Sequence, residues 1–135
     1  PGHYIFIGRT RTYDELWTDP VKRKNFQGIQ MKFEWGPLEQ REGVYDFSDI
    51  DNTLAYFRKM NSQYGVTKRL VIQMGDKLFG EKEYNGPAYM SFNGGNPKYE
   101  GGYFKEDERG GWAVKTWLPA VNERWQMLIT ELGKR

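Results

Sequence analysis

Two acidic side chains stand at the ends of runs that are typical of β-strands. Glu34 ends a run in which apolar and polar residues alternate, and Asp76 comes shortly after a nearly continuous apolar run. Two carboxyl groups about 5.5 to 9.5 Å apart can act as a general acid and a nucleophile or base. Buried carboxylates more commonly pair with cations. We therefore expect Glu34 to pair with Lys32 or Arg9, and we expect no catalytic pair within this chain.

Aromatic side chains are the second group that could act on a ligand. They make up 16% of the residues and include five Trp and nine Tyr. Flat rings serve either as core packing or as platforms for apolar ligand faces, such as those of sugar rings. Both interpretations stay open for Trp35 and Trp112. Trp17 and Trp125 fall at core-facing positions of predicted helices, so we expect them to be buried.

The composition argues against several other kinds of site. The chain has no Cys and one His, which removes thiolate and imidazole clusters for metals. It contains no glycine-rich phosphate loop and no Ser-His-Asp series. Its 20 basic residues are scattered among 18 acidic ones, and no apolar run approaches the roughly 20 residues of a membrane helix. We expect no metal, no cofactor, no nucleic acid and no membrane partner.

Three strands must position these side chains. They are predicted at about 4–8, 29–35 and 69–74 from their content of β-forming residues. In the second strand every other side chain is apolar, so one face of the strand should be apolar and the other polar and charged. The third strand is apolar at nearly every position, as strands buried on both faces are.

Helices separate these strands. A short helix is predicted to end at Pro20, and a longer one, at about 49–62, to begin after the capping residue Ser48. Residues 75–112 are rich in glycine and aromatic residues and are predicted to form a long loop. A final helix at about 118–132 follows, although Leu118 offers it no side-chain cap. Its predicted apolar stripe consists of Val121, Trp125, Leu128, Ile129 and Leu132.

The alternation of strands and helices predicts parallel strands. Their carboxyl ends then share one rim, which is where ligands bind in parallel α/β folds. Arg9, Glu34, Trp35, Asp76 and Lys77 fall on this rim.

The loop after the second strand is polar. We interpret Glu39, Arg41 and Glu42 as solvated side chains, and Tyr45 and Phe47 as the residues that hold this loop against the fold.

The run from Trp35 to Asp51 resembles (β/α)8-barrel glycoside hydrolases of the clan that contains families 5 and 42. In those proteins a Trp at the end of the second strand leads into a Leu-Glu-x-x-x-Gly-x-Tyr-Asp-Phe loop and then a helix. Residues 68–73 also resemble their third strand. The matching residues here are Trp35, Leu38, Glu39, Gly43, Tyr45, Asp46, Phe47, Ser48 and Asp51.

The resemblance implies an α/β fold whose parallel βα units form about three-eighths of a TIM barrel, as a single region over residues 1–135. A complete barrel takes about 250 residues. In that clan the two catalytic glutamates end strands four and seven, which would come after Arg135. The resemblance therefore implies an amino-terminal, truncated portion of a hydrolase that is inactive alone.

An oligosaccharide or polysaccharide is the implied partner, and an extracellular or periplasmic location is favoured. Open sheet edges would also recruit a second copy or a complementary barrel fragment. Two alternatives stay open: a stand-alone carbohydrate-binding module without chemistry, and a structural or assembly module. The expected glycan-binding residues are Arg9, Lys32, Glu34, Trp35, Gln73, Asp76, Lys77 and Trp112.

Overall fold

The computed structural model of the chain describes residues 2–7, 12–78, 86–91, 96–99, 101–105 and 111–135. They belong to two compact units, residues 1–33 with 48–74 (unit 1) and residues 34–47 with 75–135 (unit 2). Two single-turn 3-10 helices lie at Ala88–Met90 and Pro97–Tyr99. The other described elements are, in order, β1 (His3–Ile7), α1 (Glu15–Thr18), α2 (Pro20–Asn25), β2 (Phe26–Glu34), α3 (Trp35–Leu38), α4 (Ser48–Tyr64), β3 (Arg69–Gly75), β4 (Lys77–Leu78), β5 (Tyr103–Lys105), β6 (Trp112–Val114) and α5 (Pro119–Leu132).

Unit 1 is built on a parallel sheet with the strand order β1-β2-β3. Ile5 pairs with Ile29, and Ile7 pairs with Met31. Gly28 lies so close to the neighbouring strand that a Cβ atom there would overlap the Arg69 carbonyl oxygen. The predicted α/β class, with parallel strands that alternate with helices, is confirmed.

The two faces of this sheet differ as the alternation in β2 predicts. Ile29, Met31 and Phe33 are at most 1% exposed. On the opposite face Gln30 is half-buried, and its Nε2 donates to Gln73 Oε1 at 2.9 Å. Phe6, the register partner of Gln30, is 60% exposed. The apolar face is therefore the core of unit 1, and the mixed face is partly open.

Pro20 begins a helix as well as following one. The Asp19 carboxylate accepts hydrogen bonds from the Val21 N–H at 2.8 Å and the Lys22 N–H at 3.0 Å. Pro20 occupies the first helical position of α2, where its missing N–H costs nothing. The prediction of one short helix ended by Pro20 was incomplete, because Asp19 caps a second helix.

Trp17 lies in the core of unit 1, as predicted. It is fully buried and packs edge-on against Phe57, with ring centroids 4.7 Å apart. Its Nε1 donates to Asn61 Oδ1 at 3.0 Å. Asn61 Nδ2 also donates to the Lys68 carbonyl at 2.9 Å, and Asn61 Oδ1 accepts a hydrogen bond from the Lys68 N–H at 2.9 Å. One amide thus joins α1, α4 and the segment that leads into β3.

The Lys68 side chain covers the end of α2. Its Nζ donates to the carbonyl oxygens of Arg23 and Phe26. Carbonyls at a helix C-terminus attract cations. Burial, and then the nearby Arg23 charge, lowers the Lys68 pKa.

Unit 2 contains an antiparallel sheet with the order β4-β6-β5. Ala113 of β6 pairs with Lys77 on one side and with Phe104 on the other. β4, β5 and the two 3-10 helices lie within the stretch 75–112, which we predicted to be a loop, and β6 begins at its last residue. Strands of two and three residues are too short to show an alternating pattern in the sequence. β4 also depends on pairing with β6, which lies far along the chain.

Residues of this stretch form part of the core of unit 2. Met90 and Tyr103 are fully buried, and the Tyr103 hydroxyl donates to the Pro87 carbonyl at 3.1 Å. Gly102 lies between backbone oxygens, since a Cβ there would come within 2.9 Å of both the Met90 and the Tyr99 carbonyl oxygens. Only glycine permits such a close approach.

Helix α5 begins at Pro119, close to the predicted boundary, and Leu118 provides no side-chain cap. Val121 and Leu128 are fully buried, as the predicted stripe requires. Ile129, also assigned to that stripe, is 42% exposed, whereas Arg124 is only 5% exposed. The buried side of the helix is therefore turned toward Arg124.

Candidate functional site

Glu39 is completely buried in unit 2, which corrects the prediction that it is solvated. Its Oε1 accepts hydrogen bonds from the Gly43 N–H and the Tyr89 hydroxyl, each at 3.0 Å. Its Oε2 accepts from Trp35 Nε1 at 2.9 Å. A buried carboxylate must be satisfied in this way. We call Glu39 and its hydrogen-bond partners the Glu39 cluster.

Arg124 supplies the positive charge of the Glu39 cluster. Its Nη2 forms a buried ion pair with Glu39 Oε1 and also donates to the Tyr45 hydroxyl at 2.7 Å. Its Nη1 contacts Met127 Sδ at 3.0 Å. Its Nε is buried and has no hydrogen-bond partner among the described residues. The guanidinium therefore fastens α5 to the loop that follows α3.

The backbone around Glu39 explains how the carboxylate reaches these donors. Glu39 directly follows α3, one helical turn after Trp35, so both side chains lie on the same side of that turn. The chain then turns at Gly43, whose φ of 74° is a left-handed value that suits glycine. This turn aims the Gly43 N–H at the carboxylate. The Asp46 N–H donates to the Leu38 carbonyl at 2.9 Å and closes the loop.

The Glu39 cluster changes the ionisation of its neighbours. Burial, and then the Glu39 carboxylate, raises the pKa of the Tyr89 phenol well above its ordinary value. Burial and Glu39 also raise the pKa of Tyr45. Burial alone would lower the pKa of Arg124, but the hydrogen bond to Glu39 carries it above its ordinary value. Both phenols are consequently neutral and Arg124 is charged at physiological pH.

The Glu39 cluster has a structural role. Donors from Trp35, Gly43, Tyr89 and Arg124 occupy the Glu39 oxygens. A carboxylate enclosed by donors and shielded from solvent has no free oxygen to exchange a proton with a substrate. Glu39 is therefore a positioning residue for the loop after α3.

Glu42 and Tyr99 form a second contact in unit 2. The Tyr99 hydroxyl donates to Glu42 Oε1 at 2.7 Å, and this bond, with the Lys98 charge, lowers the Glu42 pKa. Tyr99 also packs edge-on against Tyr89, with centroids 5.4 Å apart. This contact links the second 3-10 helix to a member of the Glu39 cluster.

The expected glycan-binding residues fall into separate places. Arg9 lies outside the described residues. In unit 1, Lys32 is half-buried and Gln73 accepts a hydrogen bond from Gln30. Glu34, the last residue of β2, is half-buried.

Three expected residues of unit 2 are brought together by the antiparallel sheet. Trp112 pairs with Leu78, next to Lys77, and the Asp76 carbonyl accepts from the Val114 N–H at 3.3 Å. Asp76, Lys77 and Trp112 are all half-buried.

Trp35 lies inside unit 2. It is fully buried, and it packs edge-on against Trp125 with centroids 4.9 Å apart. Of the two interpretations that the sequence left open, its position in this structure agrees with core packing. Trp125 itself is half-buried.

The ion pair between Glu39 and Arg124 was not predicted from the sequence. Its partners are 85 residues apart, and Glu39 stands in a polar stretch. One local signal was present, because Arg124 lies between Val121 and Leu128 at core spacing.

No protein-family model matches this chain, and a comparison with curated proteins found no relative. Among the described residues, no group of three or more His, Asp or Glu side chains is placed to hold a metal ion. In the same part of the chain no helix has both the length and the apolar character to cross a membrane.

Proposed function

We propose that this chain is the amino-terminal part of a carbohydrate-active, glycoside hydrolase-like (β/α)8 barrel. It binds part of a glycan, while the catalytic glutamate pair comes from sequence outside residues 1–135. The observation that carries the proposal is the run from β2 through α4. There a parallel strand, a Trp-Gly-Pro-Leu-Glu segment that includes the short helix α3, a loop and the longer helix α4 follow one another in the order that the resemblance requires.

In this proposal the three parallel strands of unit 1 supply about three-eighths of a barrel, with the mixed face toward its axis. Lys32, Gln30 and Gln73 lie on that face. Amide side chains both donate and accept hydrogen bonds, which suits sugar hydroxyls. The Gln30–Gln73 hydrogen bond and the exposed Phe6 on the same face support an incompletely covered interior.

In unit 2 the proposed glycan contacts are Asp76, Lys77 and Trp112, with Glu34 at the end of β2. Arg9 stays in the proposed set on the basis of the sequence. Trp35 acts indirectly, because its indole N–H holds Glu39 and thereby the loop of the resembling motif.

Activity assays on two proteins test this proposal. The 135-residue chain should hydrolyse no member of a panel of aryl glycosides, whereas the product of a longer reading frame should hydrolyse at least one. Glycan-array binding by the 135-residue chain should weaken in Gln73→Ala and stay unchanged in Lys59→Ala, an exposed position on α4. Turnover by the short chain, or a longer protein without turnover, would contradict the hydrolase assignment.

An assembly role is the second candidate, and it is supported by the exposure of apolar side chains on the parallel sheet. Phe6 is 60% exposed and Val71 is 40% exposed. Light scattering distinguishes this role, since it requires a homo-oligomer or a complex with a complementary barrel fragment. A monomer at high concentration, combined with glycan binding, would favour the first proposal.

A further inference from the structure

Trp117 differs from the other four tryptophans in its exposure. Trp17 and Trp35 are fully buried, and Trp112 and Trp125 are half-buried. Trp117 is 65% exposed. An indole is costly to leave in water because of its large apolar faces. Among the exposed large apolar side chains of the described residues, Trp117 therefore presents the largest flat apolar surface.

The backbone that carries Trp117 is well fixed within unit 2. The Leu118 N–H donates to the Lys115 carbonyl at 3.0 Å, and the Lys115 N–H donates to the Gly102 carbonyl at 2.7 Å. The Thr116 carbonyl accepts a hydrogen bond from Asn122 Nδ2 at 3.1 Å. Trp117 thus lies on a short turn between β6 and α5 that is held from both sides. Binding a ligand to an exposed ring on such a support requires little ordering of the backbone.

Uncharged polar side chains continue from this turn along α5. Asn122, Gln126 and Thr130 are spaced by one helical turn, and none of the three is buried. Gln126 Nε2 donates to Asn122 Oδ1, and the Thr130 hydroxyl donates to the Gln126 carbonyl at 2.8 Å. The Asn122 amide reaches the Thr116 carbonyl, directly before Trp117 in the chain, so this row of neutral donors and acceptors begins at the turn that carries the exposed ring.

We propose that Trp117 is a stacking platform for a pyranose ring of an oligosaccharide, with Asn122 and Gln126 bonding its hydroxyls. Sugar rings have an apolar C–H face and a polar edge, so they match this combination of groups. The inference rests on the proposed glycan-binding function and adds a contact outside the proposed set of Arg9, Lys32, Glu34, Trp35, Gln73, Asp76, Lys77 and Trp112.

Fluorine NMR tests the contact directly. A chain labelled with 5-fluorotryptophan contains five labelled indoles, and Trp117→Phe identifies the Trp117 signal by its loss. Titration with hexasaccharides of glucose, xylose, mannose and N-acetylglucosamine should move the Trp117 signal saturably for at least one sugar. Trp117→Ala should weaken that sugar's binding about tenfold or more. Val44→Ala, which alters another exposed apolar side chain of unit 2, should leave the affinity unchanged.

The outcomes separate this inference from the proposed function. If a sugar binds while the Trp117 signal stays still and Trp117→Ala binds normally, Trp117 is not the platform, and the glycan-binding function stands. If no sugar binds to the wild-type chain, both are overturned for this chain. If Trp117→Ala instead abolishes self-association without any effect on sugars, the exposed ring is a protein contact and the inference fails. Near-ultraviolet circular dichroism of both Trp117 variants verifies that they are folded.

Discussion

Trp35 Nε1 donates a hydrogen bond of 2.9 Å to Glu39 Oε2, one helical turn further along the chain. The same carboxylate receives Arg124 from α5. The loop that carries the resembling motif is therefore held from within by a buried ion pair, and its shape depends on a helix far away in sequence.

Glu39→Ala should destabilise the chain by about 3–5 kcal/mol, because it leaves the Arg124 guanidinium buried without its partner. Urea denaturation followed by circular dichroism measures this loss. Arg41→Ala, an exposed neighbour in the same loop, should change stability by no more than about 0.5 kcal/mol. The double variant Glu39→Gln with Arg124→Met should lose less stability than Glu39→Gln and Arg124→Met lose in sum when each is made alone. Strict additivity would mean that the pair is not coupled.

Gly43→Ala should cost about 1–2 kcal/mol. The strain comes from the backbone, since the φ of Gly43 is 74° and the space beside it is open, with Arg124 Nη2 4.0 Å from the place that an alanine Cβ would occupy. Gly133→Ala is the matched control, because the φ of Gly133 is −69°. Thermal unfolding of both variants gives the comparison. Equal effects at the two glycines would contradict the backbone argument.

Asn61→Ala should cost about 2–3 kcal/mol, because the buried Trp17 N–H and both Lys68 backbone groups lose their partner. Asn52→Ala, at an exposed position of α4, should be close to neutral. Chemical denaturation measures both. An unchanged midpoint for Asn61→Ala would show that water replaces the amide without cost.

Tyr56 should make folding stability fall with rising pH between 10 and about 12. Burial, and then the hydrogen bond to Asp14, raises its pKa from 10.0 to about 12. In that window the unfolded phenol loses its proton while the folded phenol keeps it, so ionisation favours the unfolded chain. Melting temperatures measured from pH 9 to 12 should fall less steeply for Tyr56→Phe than for the wild type. Identical slopes would refute the assignment.

Local patterns were sufficient to predict the parallel sheet of unit 1. The alternation of Ile29, Met31 and Phe33 identifies β2 because a strand places every second side chain on one face. Its start could not be predicted, since Phe26 joins the strand through pairing with His3 of β1. The polarity of Gln27 gives no local sign of that pairing.

The Glu39 cluster and the antiparallel sheet were beyond local patterns for one shared reason. Each is stabilised by groups that lie far apart along the chain, such as Lys77 with Ala113 in the sheet and Glu39 with Arg124 in the cluster. The polarity of residues 39–42 favoured a solvated loop, and the donors that enclose the Glu39 carboxylate, including the buried guanidinium of α5, reverse that expectation for Glu39.

The close backbone approach at Gly28 and Gly102 restricts which residues can replace them during evolution. Each faces a backbone carbonyl of a neighbouring segment at a distance that leaves no room for a Cβ atom. A homologue that keeps these two close backbone approaches should therefore keep glycine at both positions. Together with an acidic and a basic residue 85 positions apart, equivalent to Glu39 and Arg124, these two glycines define a sparse pattern by which distant relatives can be recognised.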